Sequence, residues 1–252
     1  MLKTLARIFE DNTIEIDDAG TRIKIHSNTS KEQGIFLQQI FDKIKPKQSI
    51  EVGFAYGISA MFILEKHAEA KSSEPSHLVI EPDDYWGDIP MHNIKKEGLE
   101  KYISIKNDYS HTVLTRLFHQ NYRVQYAYID TTKQFDVVFQ DFYFIDKILD
   151  IGGVVIFDDC GGGWPGIQRV ARFVNTLPHY QLIDKHGAIN MSIKKKIAHS
   201  FVSFLVNLIP FKMAIYSSFN FETDKQLGLN YACLVFKKIA TDNRLWNWDK
   251  PF

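Results

Sequence analysis

The sequence predicts an α/β protein with a doubly wound, mostly parallel seven-stranded sheet. Three observations carry that reading. From residue 49 onward, short β-branched runs alternate with longer segments of helical spacing. The first run ends in a glycine-bearing turn, Glu51-Val52-Gly53-Phe54-Ala55-Tyr56-Gly57. Acids stand at the ends of the later runs: Glu81, Asp108, Asp130 and the pair Asp158–Asp159. Alternation of this kind builds right-handed βαβ units, and ligands then bind beyond the carboxyl ends of the strands.

Residues 1–47 read as an N-terminal hairpin and helix. Thr13 to His26 form two short strands around an Asp-Ala-Gly turn, and Ser30 caps a helix carrying Ile35, Leu37, Ile40, Phe41 and Ile44. Residues 48–186 form the core. Strands are expected at 49–54, 77–82, 102–108, 124–130, 153–159 and 180–186, and helices at 58–70, 111–120, 135–149 and 167–177. Residues 187–230 form a helical insertion, and 231–239 a last strand before an aromatic tail.

Composition sets outer limits. The 252 residues fit one α/β domain with additions, and a 45% hydrophobic content supplies a core. Lys+Arg and Asp+Glu are both 30, so no broad basic surface marks a nucleic-acid partner. Two cysteines, no apolar leader and no Cys/His metal spacing point to a cytoplasmic protein without structural disulfides. The apolar stretch 197–216 is interrupted by His199, Asn207, Pro210 and Lys212, which makes a poor membrane span.

The turn at 51–59 lets a backbone bend sharply and a ligand approach closely. As GxxxG it lacks the GxGxxG of a dinucleotide site. It resembles motif I of the class I S-adenosylmethionine (SAM)-dependent methyltransferases, with Glu51, Gly53, Gly57 and Ser59 matching and Ala55 in place of the middle glycine. The resemblance implies a Rossmann-like methyltransferase fold, SAM as cofactor, and contacts to its methionine part from Glu51, Gly53, Tyr56, Gly57 and Ser59, with Asp130 beside them. Glu81 falls where such folds keep a ribose-binding acid, some 20–30 residues past the glycines. The competing reading is a solvated loop acid, with Asp83 as the alternative ligand. Asp108 and Tyr109 stand, by position, where the family holds adenine; Asp108 also suits a helix cap.

Neighbouring strand ends would gather Asp130, Asp158 and Asp159. Three carboxylates repel unless protonated or holding a cation, and oxygen ligands favour Mg²⁺, Mn²⁺ or Ca²⁺. The competing reading is that Asp158 or Asp159 caps a loop. With Lys133 three residues after Asp130, and Gly152-Gly153 before the aspartate pair, the region is similar to cation-dependent O-methyltransferases of the catechol and caffeoyl-CoA type. Trp164 to Val174 resembles instead the macrolide-sugar O-methyltransferases, although Thr132 and Lys133 replace the acid and histidine of those enzymes. The resemblance implies metal-assisted O-methylation of a small-molecule hydroxyl, a Mg²⁺ site at Asp130, Asp158 and Asp159, and Lys133 as catalytic base. The alternatives are a metal-independent methyltransferase and a SAM-fold binding protein without turnover.

The basic-then-amphipathic stretch 194–209 suits a lid or homodimer element better than a membrane-surface helix. Cys160 has no flanking group to activate it, and the lone His111, His179 and His186 read as structural.

Overall fold

The computed structural model describes residues 1–26, 28–161, 163–189 and 222–252. Helix α1 (Lys3–Asp11) precedes an antiparallel hairpin, β1 (Thr13–Glu15) and β2 (Arg22–Lys24). Helix α2 (Lys31–Ile44) starts where Ser30 Oγ accepts the Gln33 amide at 3.1 Å, as expected of an N-cap. Next come β3 (Ser49–Val52), α3 (Ile58–Glu69), β4 (His77–Ile80), α4 (Ile89–Lys96), β5 (Ile103–Lys106) and α5 (Ser110–His119). The chain continues through β6 (Val124–Ile129), α6 (Phe135–Ile148), β7 (Leu149–Phe157), α7 (Pro165–Thr176), β8 (Tyr180–Ala188) and β9 (Tyr231–Lys238).

The seven-stranded sheet has the order β5-β4-β3-β6-β7-β9-β8, with β9 antiparallel to both neighbours and the rest parallel. The expected sheet is therefore present. Strand β3 is buried along its whole length between β4 and β6, as a central parallel strand must be. Alternate residues feed two faces. Ile50, Val52, Ala127 and Ile129 pack with α5, α6 and α7, whereas Tyr126 and Tyr128 pack with Phe36, Leu37 and Ile40 of α2 and Ile63 of α3. No described helix is long and apolar enough to cross a membrane. The stretch 194–209 lies outside the described residues.

Two helices escaped the sequence reading. Short α1 buries Leu5 and Ile8, and Arg7 pairs with Glu15 of the hairpin. Helix α4 has Pro90 in its first turn, a position where the missing N–H costs nothing.

Beneath the sheet's carboxyl edge runs a buried polar chain. Glu51 Oε1 accepts the Ser59 hydroxyl, and its Oε2 lies 3.0 Å from His77 Nε2. His77 Nδ1 lies 2.8 Å from Ser49 Oγ, which lies 2.6 Å from His67 Nε2; His67 Nδ1 reaches Ser72 Oγ at 2.9 Å. Each link is satisfied with the protons pointing in either direction, so the chain stays bonded whether or not Glu51 carries a proton. Burial pushes Glu51 up to about 8, from 4.5. Burial pulls both imidazoles down to about 3, the neighbouring His77 adding to the effect on His67.

The signs follow from linkage. The imidazoles contribute stability above their ordinary 6.5, lost as pH falls towards 3. Glu51 contributes below 4.5, and that contribution is lost as pH rises through 8. Each group changes stability by at most about 1.4 kcal/mol per pH unit. Thermal melts of Glu51→Gln are expected to lack the part of the decline that Glu51 causes between pH 4.5 and 8 in the wild type; equal slopes over that range in the two folded proteins would contradict the assignment.

Candidate active site

The tips of β3 and β6 open on one crevice, flanked by those of β4 and β7, because each strand pairs in register with its neighbour. Val52 lies level with Ile80 on one side and Ile129 on the other, and Ile129 with Phe157. Gly53 follows at φ +98°, and a Cβ there would fall 1.9 Å from the Asp130 carbonyl oxygen. No other residue fits. Gly57, at φ +73°, opens α3. Ala55 is also left-handed, at φ +44°, which costs an L-residue roughly 1–2 kcal/mol. A middle glycine would suit this position, and the strain shows why.

Gly53, Ala55, Tyr56, Ser59 and Asp130 wall the crevice, which has about 320 Å³ of empty space open to solvent. Asn28 and Thr29 close it from the segment before α2. Neither was foreseen, since nothing in their local sequence marks a ligand; only the packing of α2 onto the sheet brings them here.

Glu81 arrives at the same place, turned onto the glycine-bearing loop. Its Oε2 accepts the amides of Phe54 at 2.8 Å and Ala55 at 3.4 Å, and its Oε1 that of Asp83 at 3.1 Å. The side chain thus holds the strained turn, with three of its about four acceptor sites taken and one left for a hydroxyl. Glu51 is a correction. It is 1% exposed, sits under the loop with Ser59 and His77, and does not face the crevice. Asp108 and Tyr109 follow β5 and are not among the residues lining the crevice. Asp108 accepts the Tyr109 amide and pairs with Arg116 at 3.4 Å, while Tyr109 is 64% exposed and stacks on His111. Tyr109 is the N-cap of α5, without a side-chain bond, so Asp108 is not the cap.

The three aspartates gather as expected, with one carboxylate oxygen from each within 4.8 Å of the others. Yet the cluster is already furnished with donors. Asp158 Oδ2 accepts Gln33 Nε2 at 2.6 Å and the Tyr128 hydroxyl at 2.9 Å; its Oδ1 accepts the Asp159 amide at 2.8 Å and the Cys233 thiol at 3.1 Å. Lys133 Nζ bridges Asp130 Oδ1 at 2.8 Å and Asp159 Oδ2 at 2.9 Å. As arranged, Lys133 and these donors occupy much of the cluster. Lys133, expected as the base, is paired with two acids here. Burial alone would lower its pKa, but Asp130 and Asp159 outweigh it and hold the ammonium above its usual range. Asp130 moves the other way: desolvation, then the charge of Asp158, push it up to about 7 despite Lys133.

A second group, Asp146, His179 and Asp242, lies at the opposite sheet edge. Its carboxylates are occupied by Lys147, Lys238 and Arg244, so it too is filled by side-chain cations. His186 stacks on Phe36, and Cys160 is buried with its thiol pKa raised by burial.

Comparison with known proteins agrees with this geometry. Residues 50–160, from β3 to just past β7, match a family model described as a methyltransferase domain. No curated protein matches the chain at a significant level. Among solved structures, an O-methyltransferase from Bacillus cereus in complex with S-adenosylhomocysteine (SAH) is 16% identical, with a TM-score of 0.61 over 95% of this chain and 92% of that one. TomG, an O-methyltransferase from Streptomyces achromogenes solved with SAM, is 11% identical at TM-score 0.61, covering 96% of this chain and 91% of its own. An SAH-bound methyltransferase from Podospora anserina is 15% identical at 0.57, over 73% and 83%. At these identities the likeness is one of fold.

Removing the Glu81 carboxylate frees the Phe54 and Ala55 amides and takes away a charged hydrogen-bond acceptor, each such bond contributing roughly 1.5–3 kcal/mol. Calorimetric titration with SAH is expected to show at least about tenfold weaker binding by Glu81→Ala. Unchanged affinity would remove Glu81 from the site.

Proposed function

From the match of residues 50–160 to a methyltransferase-domain model and the likeness of the fold to solved O-methyltransferases, we propose that this chain transfers the methyl group of SAM to the hydroxyl of a small molecule. The observation that carries the reading is Asp130. It walls the crevice beside Gly53, and its pKa of about 7 suits a group that must accept a proton near neutrality.

The chemistry is an in-line displacement. A lone pair of the acceptor oxygen forms the new O–CH₃ bond. The S–CH₃ bond breaks with its electrons returning to sulfur, which turns the sulfonium into the neutral thioether of SAH. The hydroxyl proton passes to Asp130. Gly53, Tyr56 and Ser59 hold the methionine part of the cofactor, and Glu81 its ribose. Holding both reactants in line supplies several kcal/mol of the barrier reduction. Lys133 has three N–H donors, two of them given to Asp130 and Asp159, so one remains for the acceptor oxygen as negative charge develops there. A phenol, with a pKa near 10, is within reach of a base titrating near 7; a sugar hydroxyl is much less so. We therefore favour a phenolic or similarly acidic hydroxyl. Buried, unpaired Cys160 and Cys233 fit a reducing compartment such as the cytoplasm.

Metal assistance is the second reading, favoured by the proximity of the Asp130, Asp158 and Asp159 oxygens. It requires Lys133 to leave them. A chelator test separates the two: turnover that is lost in EDTA and restored by Mg²⁺ selects the metal.

Base catalysis by Asp130 needs the ionised carboxylate, so kcat should fall as pH drops through about 7. Asp130→Asn is expected to lower kcat by about 10²-fold or more, in the range of general-base contributions, while Gly53 and Glu81 keep SAH bound. A variant with wild-type kcat would contradict the role.

A further inference from the structure

We infer that Lys133 is the resident cation of this site, a tethered ammonium held between Asp130 and Asp159. Its contribution to turnover rests on the reading above; its occupancy of the cluster does not.

Three features fix it there. Nζ lies at hydrogen-bond distance from one oxygen each of Asp130 and Asp159, 2.8 and 2.9 Å, and the side chain is only 19% exposed. The backbone is pinned as well. A Cβ at Gly166 would fall 2.2 Å from the Lys133 carbonyl oxygen, so the start of α7 packs directly on the lysine's own peptide. The third aspartate is already committed. Asp158 spends both oxygens on Gln33, Tyr128, the Asp159 amide and Cys233, donors from four separate parts of the chain.

A hard divalent ion bonded to Asp130 and Asp159 would sit 2.0–2.6 Å from their oxygens. That is the space between the two carboxylates that the ammonium now fills. The two cations exclude one another by volume and by charge. Removing the ammonium leaves two adjacent carboxylates without a counter-charge, and such a pair seeks protons or a metal. Lys133 thus keeps the cluster closed to divalent ions, and replacing it with a neutral side chain opens it.

The test uses the full chain and Mn²⁺ alone, followed by the electron paramagnetic resonance of free Mn²⁺. Wild type is expected to bind no Mn²⁺ below millimolar concentration. Lys133→Met should bind at least about tenfold more tightly, and adding Asp159→Asn should abolish the gain. Lys133→Ala serves as the second opening variant, and a cooperative melt shows which variants are folded. Micromolar Mn²⁺ binding by wild type overturns the inference, and that arm needs no variant. A folded Lys133→Met or Lys133→Ala that gains no affinity overturns it too. SAH calorimetry on the same wild-type sample keeps the claims apart: absent SAH binding sinks the methyltransferase reading, while the Mn²⁺ result still decides this one.

Discussion

The contact between Gly53 and the Asp130 carbonyl is the constraint on which the site depends. Strand β3 lies between β4 and β6, and its chain turns off the sheet against the very residue that ends β6. Only a residue without Cβ permits that approach, and only a left-handed turn continues it into α3. Once the turn is made, its amides face Glu81, and its side chains share a crevice with Asp130. A crevice, a carboxylate beside it and a helix start all follow from one tight packing event.

Charge at this edge is handled by pairing rather than by exposure. Asp158 is held by four donors, Asp159 faces Lys133, and Asp130 is left between the lysine and a fixed negative neighbour. This arrangement pushes Asp130 towards neutrality as a titrating group while keeping Lys133 protonated. The opposite shifts of the two groups thus arise from the contacts each makes. One layer below, Glu51, His77, Ser49 and His67 support the strands that carry these groups through a continuous buried hydrogen-bond chain.

Much of this was legible in the sequence, for physical reasons. Parallel strands buried on both faces read as apolar runs, so β3, β4, β6 and β7 and their terminal acids stood out. Gly53 and Gly57 announced the turn. The spacing of Lys133 from Asp130 announced an i,i+3 pair, but its second partner, Asp159, is a long-range contact that no local pattern contains. Tyr128 carried a weak signal, since it shares a strand face with Asp130 two residues on. Gln33 carried none: it reaches Asp158 across 125 residues of chain because α2 packs on the sheet. Glu51 was misread because a motif position does not reveal which side of a strand the side chain takes; register put it in the core. Helix α1 is shorter than the window over which helical spacing is read, although its Leu5 and Ile8 do share one buried face.

A crystal structure of the SAH complex tests most directly whether the strand tips hold one nucleoside. The homocysteine part is expected over Gly53 to Ser59, the ribose hydroxyls on Glu81, and the sulfur beside Asp130. An SAH molecule bound elsewhere, or a ribose held by groups other than Glu81, would contradict this placement.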